Sequence, residues 1–129
     1  MNADERRRAL DAVTERVIGC ALHVGHTLGC GFLEKVYENA LAIELKRKGL
    51  GVEQQHGVAV RYEGEMVGDF VADLLVEGQV VVELKAAKSL DDAHMAQCLN
   101  YLKATGLTVC LLINFGTPRV EVKRVVSGF

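Results

Sequence analysis

The sequence contains very little that would divide it into domains or place it in a membrane. It has one proline, Pro118, and no stretch rich in proline or serine that would serve as a linker. No apolar run approaches the roughly 20 residues that a membrane-spanning helix needs, and residues 1–8 lack the apolar core of a secretory signal. We therefore expect a single cytoplasmic domain over residues 1–129, without membrane association.

Closely spaced cysteine pairs and an excess of basic residues are also missing. The four cysteines form no Cys-x-x-Cys pair, which argues against a zinc or iron–sulfur site. In a cytoplasmic chain we expect them to be reduced and to pack as small buried hydrophobic residues. The net charge of −2 gives no overall attraction to nucleic acid. Binding to nucleic acid therefore requires a local patch or a partner.

Hydrophobic periodicity predicts an alternation of helices and strands that is typical of an α/β fold. The predicted helices cover residues 3–28, 32–48 and 89–104, and the predicted strands cover residues 52–55, 58–62, 66–76, 79–85, 108–114 and 120–126. The resulting order is ααββββαββ. The predicted helix over 89–104 lies between the strands predicted over 79–85 and 108–114, which indicates a helical crossover. Such a crossover favours a mixed central β-sheet flanked by helices.

Two acidic residues and a lysine stand within apolar runs. Asp73 lies in the run 70–76, and Glu83 and Lys85 end the run 79–85. Such runs are typical of strands that are buried on at least one face. A carboxylate in such a strand is costly unless it is paired or binds a metal ion. The combination favours a divalent-metal site that handles phosphate, and the alternative is a structural ion pair with Lys85 that binds no metal.

The loop between these two strands decides whether the carboxylates meet. A three-residue loop over 77–79 would set Asp73 opposite Glu83. Such loops often contain one residue in the left-handed conformation, which Gly78 would adopt readily. A two-residue loop would instead pair Asp73 with Val82 and place the carboxylates on opposite faces of the sheet. The metal site therefore requires an odd-numbered loop or a bulge.

Three motifs together resemble a known family. Residues 31–37, GFLEKVY, match the signature of the GxxExxY proteins, which are small prokaryotic members of the PD-(D/E)XK nuclease superfamily. Asp73, Glu83 and Lys85 match the Asp and Glu-x-Lys set of that superfamily. Residues 97–101, QCLNY, are similar to the Q-x-x-x-Y motif of RecB-like nucleases. The resemblance covers roughly residues 10–126.

The resemblance implies a restriction-endonuclease-like fold and a nuclease that uses Mg²⁺ or Mn²⁺ and hydrolyses phosphodiester bonds, DNA in preference to RNA. The catalytic residues that it implies are Lys85, Glu83, Asp73, Glu34 and Gln97. The ion ligands that it implies are Asp73, Glu83, Glu34 and the Leu84 carbonyl, with Gly31, Tyr37 and Tyr101 in supporting positions. In this scheme Lys85 orients the attacking water and stabilises charge at the phosphate.

Other interpretations fit the same residues. Glu34 also fits a solvated helix glutamate, and Gln97 also fits a polar helix edge. Because folds are reused with altered chemistry, the chain could be a catalytically silent module that binds nucleic acid or protein. Its small size also suits a hydrolase of small phosphoesters. A homodimer, or a partner protein that supplies contacts to DNA, is a further expectation.

Overall fold

Five strands and three helices make up residues 1–127, the part of the chain that this computed structural model describes. The helices are α1 (Ala3–Leu28), α2 (Glu34–Arg47) and α3 (Asp92–Thr105), and the strands are β1 (Val52–Tyr62), β2 (Glu65–Val76), β3 (Val80–Lys85), β4 (Val109–Asn114) and β5 (Glu121–Val126). The predicted class, a mixed sheet flanked by helices, is confirmed. No helix within residues 1–127 is both long and apolar enough to cross a membrane.

Two predicted boundaries were wrong. The strands predicted over 52–55 and 58–62 are one strand, because His56 and Gly57 continue the pairing of β1 with β2. The observed order is therefore ααβββαββ. The third helix begins at Asp92 and not at Ser89, because the Asp91 side chain accepts a hydrogen bond from the His94 N–H at 2.9 Å and caps the helix.

The five strands form one sheet in the order β1-β2-β3-β4-β5. Neighbouring strands are antiparallel except for β3 and β4, which run parallel. A parallel pair cannot be joined by a tight turn, so α3 provides the crossover between these two strands. The crossover places Lys85, at the end of β3, beside Asn114 at the end of β4.

Two hydrophobic clusters pack against the two faces of the sheet. One contains residues of α1 and α2, among them Val17 and Leu41, together with Leu84 of β3. The other contains α3, with Cys98 and Leu102 against the opposite face of the sheet. Strand β4 is buried at all six positions, which explains its continuous apolar sequence.

The cysteines follow the prediction with one exception. None of the four forms a disulfide bond, and Cys20, Cys98 and Cys110 are buried. Cys30 is exposed, because it lies in the loop between α1 and α2, where the chain turns away from the core. The expectation of buried cysteines was therefore wrong for Cys30.

The β2–β3 hairpin has the three-residue loop that the sequence predicted. Val76 pairs with Val80, and residues 77–79 form the turn. Gly78 has a φ of 64°, as predicted, and Glu77 has a φ of 54°. Gly51 holds Glu77 in this conformation, since the Gly51 N–H donates to the Glu77 carboxylate at 2.8 Å and the Gly51 carbonyl accepts the Glu77 N–H at 2.8 Å.

Gly78→Ala should lower the free energy of unfolding by about 1–2 kcal/mol, the cost of a left-handed conformation for an L-residue. Urea unfolding measures the loss. Gly57→Ala is the matched control, because a Cβ at either position meets open space and only Gly78 has a positive φ. Equal losses in the two variants would contradict the assignment of strain to the loop.

Candidate functional site

Strand β2 leaves the regular sheet at Asp73. The pairing of β2 with β3 begins at Leu74, opposite Val82, and does not extend to Asp73. The pairing with β1 also omits Asp73 and continues at Ala72. Gln55, the residue of β1 that would face Asp73, has a φ of 55° and is likewise unpaired in that register. The backbone of Asp73 is therefore free of both ladders.

The side-chain alternation of β2 also changes at Asp73. Leu74 and Val76 pack in the cluster with α1 and α2, whereas Ala72 packs in the cluster with α3. A regular strand would direct all three side chains to one face. The chain therefore rotates at Asp73, which turns this residue toward β3.

Asp73 and Glu83 replace the missing backbone pairing with two reciprocal hydrogen bonds. The Leu84 N–H donates to Oδ2 of Asp73 at 2.8 Å. The Asp73 N–H donates to Oε1 of Glu83 at 3.1 Å. The two carboxylates consequently lie side by side, as predicted, but through hydrogen bonds from backbone to side chain and not through the regular strand pairing that the prediction assumed.

Burial and like charge make this pair unfavourable as two anions. Glu83 is only 3% exposed, and burial, with the negative charge of Asp73, raises its pKa to about 8. Burial also raises the pKa of Asp73, and the charges of Glu38 and Glu34 add to the effect, while the Leu84 hydrogen bond and Lys85 oppose it. The site therefore favours a proton or a cation between the carboxylates.

Lys85 lies beside the pair without neutralising it by direct contact. Its ammonium donates to Oε1 of Gln97 at 3.3 Å, and within residues 1–127 it forms no ion pair with either carboxylate. The alternative of a structural ion pair with Lys85 is thus not found. The Gln97 amide donates to the Tyr101 hydroxyl at 3.1 Å, and that hydroxyl donates to the Val71 carbonyl at 3.3 Å. Three of the predicted site residues are therefore joined in one network.

The signature residues before and within α2 hold the loop between α1 and α2 in place. Gly31 has a φ of 117°, a conformation that favours glycine. The buried Tyr37 donates its hydroxyl to the Gly29 carbonyl at 2.6 Å and accepts the Phe32 N–H at 3.2 Å. Tyr37 therefore fixes the loop that leads into α2, as a packing residue with a polar tip.

Glu34 is exposed at the first position of α2. Its negative charge contributes to the raised pKa of Asp73, so the two residues lie in the same region. No group of three His, Cys, Asp or Glu side chains within residues 1–127 is arranged to hold a metal ion. The structure thus brings Asp73 and Glu83 together, with Glu34 nearby and outside that close pair.

Sequence reasoning missed the importance of Glu38. This carboxylate is 3% exposed, and it accepts hydrogen bonds from Lys35 at 3.0 Å, Gln54 at 2.8 Å and Gln55 at 2.7 Å. Gln55 is the irregular residue opposite Asp73, so Glu38 holds the distortion of β1 at the site. A glutamate flanked on its helix face by apolar residues was the available signal.

Asn114 was also missed as an organiser of the segment after Lys85. It is fully buried, and its amide oxygen accepts the N–H groups of Ala87 and Gly116, each at 3.0 Å. Its amide nitrogen donates to the Ala87 carbonyl at 2.9 Å and to Glu121 at 3.1 Å. These four hydrogen bonds hold the chain as it leaves the Lys85 position.

Comparison with known families and structures supports the restriction-endonuclease-like fold. A family model described as PD-(D/E)XK nuclease superfamily matches residues 11–125. This model supports the superfamily, and the narrower GxxExxY resemblance stays a prediction. A search of curated proteins found no match.

Two solved structures share the fold. The crystal structure of SSO0001 has 17% sequence identity and a TM-score of 0.56, and the match covers 74% of this chain and 50% of that protein. An alkaline exonuclease (LHK-Exo) from Laribacter hongkongensis has 14% identity and a TM-score of 0.53, with 73% of this chain and 56% of that protein covered. The chain thus spans about half the length of either protein.

Glu83→Gln should stabilise the metal-free protein at alkaline pH. The pKa of Glu83 is about 8 in the folded chain against an ordinary value of 4.5 for a glutamate, so with rising pH the unfolded chain loses this proton before the folded chain does. The contribution of Glu83 to the free energy of unfolding is most favourable below pH 4.5, and it becomes less favourable as the pH rises toward 8. The difference in Tm between variant and wild type, measured in a chelator, should therefore widen across this interval.

Glu15→Gln, at an exposed position of α1, is the control and should show no such widening. A Tm difference for Glu83→Gln that is constant with pH would show that the carboxyl is not strained in the folded chain.

Proposed function

The chain belongs to the PD-(D/E)XK nuclease superfamily, and from this premise we propose that it is a nuclease that depends on Mg²⁺ or Mn²⁺ and hydrolyses phosphodiester bonds, in DNA in preference to RNA. One observation carries the proposal. The half-buried carboxylate of Asp73 and the buried carboxylate of Glu83 are held together without a neutralising ion pair, and Lys85 is anchored beside them by Gln97.

The donor set suits a hard divalent ion. One oxygen of each carboxylate accepts a hydrogen bond from a backbone N–H. The other oxygens, Oδ1 of Asp73 and Oε2 of Glu83, are therefore left for a ligand. The Leu84 carbonyl points to the same side of β3 as the Leu84 N–H, because both groups of a strand residue face the same neighbour. Carboxylate and carbonyl oxygens, completed by water, are the ligands that Mg²⁺ and Mn²⁺ prefer. Glu34 would contribute from the outer side of the site.

When bound, such an ion supplies Lewis acidity at the phosphodiester and charge that offsets the two carboxylates. Side chains of the protein supply the other functions. The Lys85 ammonium, preorganised by Gln97, stabilises negative charge that develops on the phosphate. Tyr101 fixes Gln97 to the backbone of β2, and burial raises the Tyr101 pKa to about 12, so its hydroxyl keeps its proton for the Val71 carbonyl.

Asp73→Asn should abolish or strongly weaken the binding of Mn²⁺ in calorimetry. The amide keeps an oxygen for the Leu84 N–H and removes the negative charge that attracts the ion. Asp69→Asn, on the exposed part of the same strand, is the matched control and should bind like wild type. Unchanged binding by a double variant, Asp73→Asn with Glu83→Gln, would refute the ion site.

Lys85→Ala should reduce cleavage by roughly two orders of magnitude, the scale of losing one preorganised charge stabiliser. Plasmid nicking in Mg²⁺ or Mn²⁺ measures this loss. Ion affinity should stay the same or rise, because a nearby positive charge is removed. Lys46→Ala, at an exposed position of α2, is the control and should cleave normally.

Two results would count against the nuclease assignment. Undiminished nicking by Lys85→Ala would point to a different mechanism. Wild type that binds the ion and cleaves neither DNA nor RNA in any form would favour the catalytically silent binding module.

A further inference from the structure

Two open cavities lie between α3 and the hairpin formed by β1 and β2. One has a volume of about 450 Å³ and is lined by Phe70 and the first half of α3. The other has a volume of about 910 Å³ and lies between β1 and the second half of α3. Phe70 and Asn100 line both cavities, so the cavities adjoin at these two residues. We call the combined depression the α3 groove.

The α3 groove begins at the proposed catalytic network. Gln97 and Tyr101 line its smaller cavity, and Gln97 is the residue that accepts the hydrogen bond of Lys85. A substrate with a phosphate at Lys85 would therefore continue directly into this groove. Both cavities fall within the range of roughly 300–1,000 Å³ that is usual for ligand sites.

The charges of the groove oppose those of the chain as a whole. The chain carries 17 acidic against 15 basic residues. Among the described residues 1–127, no Asp or Glu lines either cavity, whereas Arg61 and Lys103 line the larger one. His56 also lines the larger cavity, but the Glu53 carboxylate contacts its ring, so His56 adds no net positive charge to the groove. The groove is thus locally suited to a polyanion.

Phe70 gives the groove a surface on which a flat ring can stack. Its side chain is 49% exposed although it lines the junction of the two cavities. The Phe70 ring packs edge-on against Tyr101, with centroids 6.2 Å apart and planes at 74°. Two amides, Gln97 and Asn100, and the imidazole of His94 supply polar groups around it. Aromatic faces with nearby amides bind unpaired nucleobases.

We propose that the α3 groove binds single-stranded nucleic acid next to the scissile phosphate, with one base stacked on Phe70 and backbone phosphates near Lys103 and Arg61. This inference rests on the proposed nuclease function and adds the class of its substrate. Bases within a duplex are paired and stacked on each other, so they cannot present a free face to Phe70. A single strand, or a strand separated at an end, can do so.

Fluorescence anisotropy with labelled oligonucleotides tests the proposal in a chelator, where cleavage is suppressed. The probes are a single-stranded DNA, the same sequence as RNA, and the corresponding DNA duplex. We expect the single strands to bind more tightly than the duplex. Phe70→Ala should weaken single-strand binding by about 5- to 150-fold, the range for loss of one base-stacking aromatic, and Phe70→Trp should retain binding.

Matched controls separate the groove from the rest of the surface. Tyr62→Ala removes an aromatic side chain that is 67% exposed on the same hairpin and lies outside both cavities. It should bind like wild type. Lys103→Ala should weaken binding to every sequence, and it should reduce by about one the slope of the logarithm of the binding constant against the logarithm of the salt concentration. Lys46→Ala should change neither. Phe70→Leu keeps an apolar side chain for folding and should still lose binding, with thermal unfolding as the check of stability.

The outcomes distinguish a failure of the groove assignment from a failure of the proposed nuclease function. If wild type cleaves nucleic acid and Phe70→Ala binds and cleaves like wild type, the groove assignment is overturned and the nuclease function stands. Equal losses in Phe70→Ala and Tyr62→Ala, or tighter binding of the duplex with no effect of Phe70→Ala, would also overturn it. If wild type neither binds nor cleaves any of the three probes, the groove and the proposed function both fail.

Discussion

The arrangement of the site depends on the repulsion between two carboxylates that the sheet forces together. Asp73 and Glu83 lie side by side, Asp73 half-buried and Glu83 buried, and each accepts a hydrogen bond from a backbone N–H of the opposite strand. These hydrogen bonds hold the pair in position but do not cancel its charge, as the raised pKa values of both groups indicate. A pair so arranged weakens the metal-free fold and is suited to a cation, a balance between stability and function that is common at active sites.

The surrounding structure keeps this unfavourable arrangement in place. Glu38 holds the distorted residue Gln55 of β1 opposite Asp73, and the loop over 77–79 sets the register of β2 and β3. Asn114 fixes the chain after Lys85 with four hydrogen bonds. Glu38 acts through the side chain of Gln55, whereas the loop and Asn114 act on the backbone, so the arrangement of Asp73 and Glu83 depends on residues that lie outside the pair.

The local charge of the groove along α3 differs from that of the ion site. Asp73 and Glu83 lie together where an ion would bind, whereas in the described part of the chain no Asp or Glu lines the groove and Arg61 and Lys103 do. An acidic chain can thus offer a local path to a phosphate backbone, because short-range contacts outweigh net charge once screening by salt is included.

The sequence by itself determined the fold class and the central pair. The three-residue turn around Gly78 set the register of β2 and β3, because hairpin register is set by local geometry, and this register brought Asp73 next to Glu83. The break in the alternation of β2 at Asp73 did not follow from that local pattern. Only the tertiary structure decided that Glu38 is buried, that Cys30 is exposed and that β1 is continuous through His56 and Gly57. The physical reason is that such features depend on how one segment meets another: the buried Glu38 of α2 accepts hydrogen bonds from Gln54 and Gln55 of β1, and β1 is continuous because it pairs with β2 through His56 and Gly57.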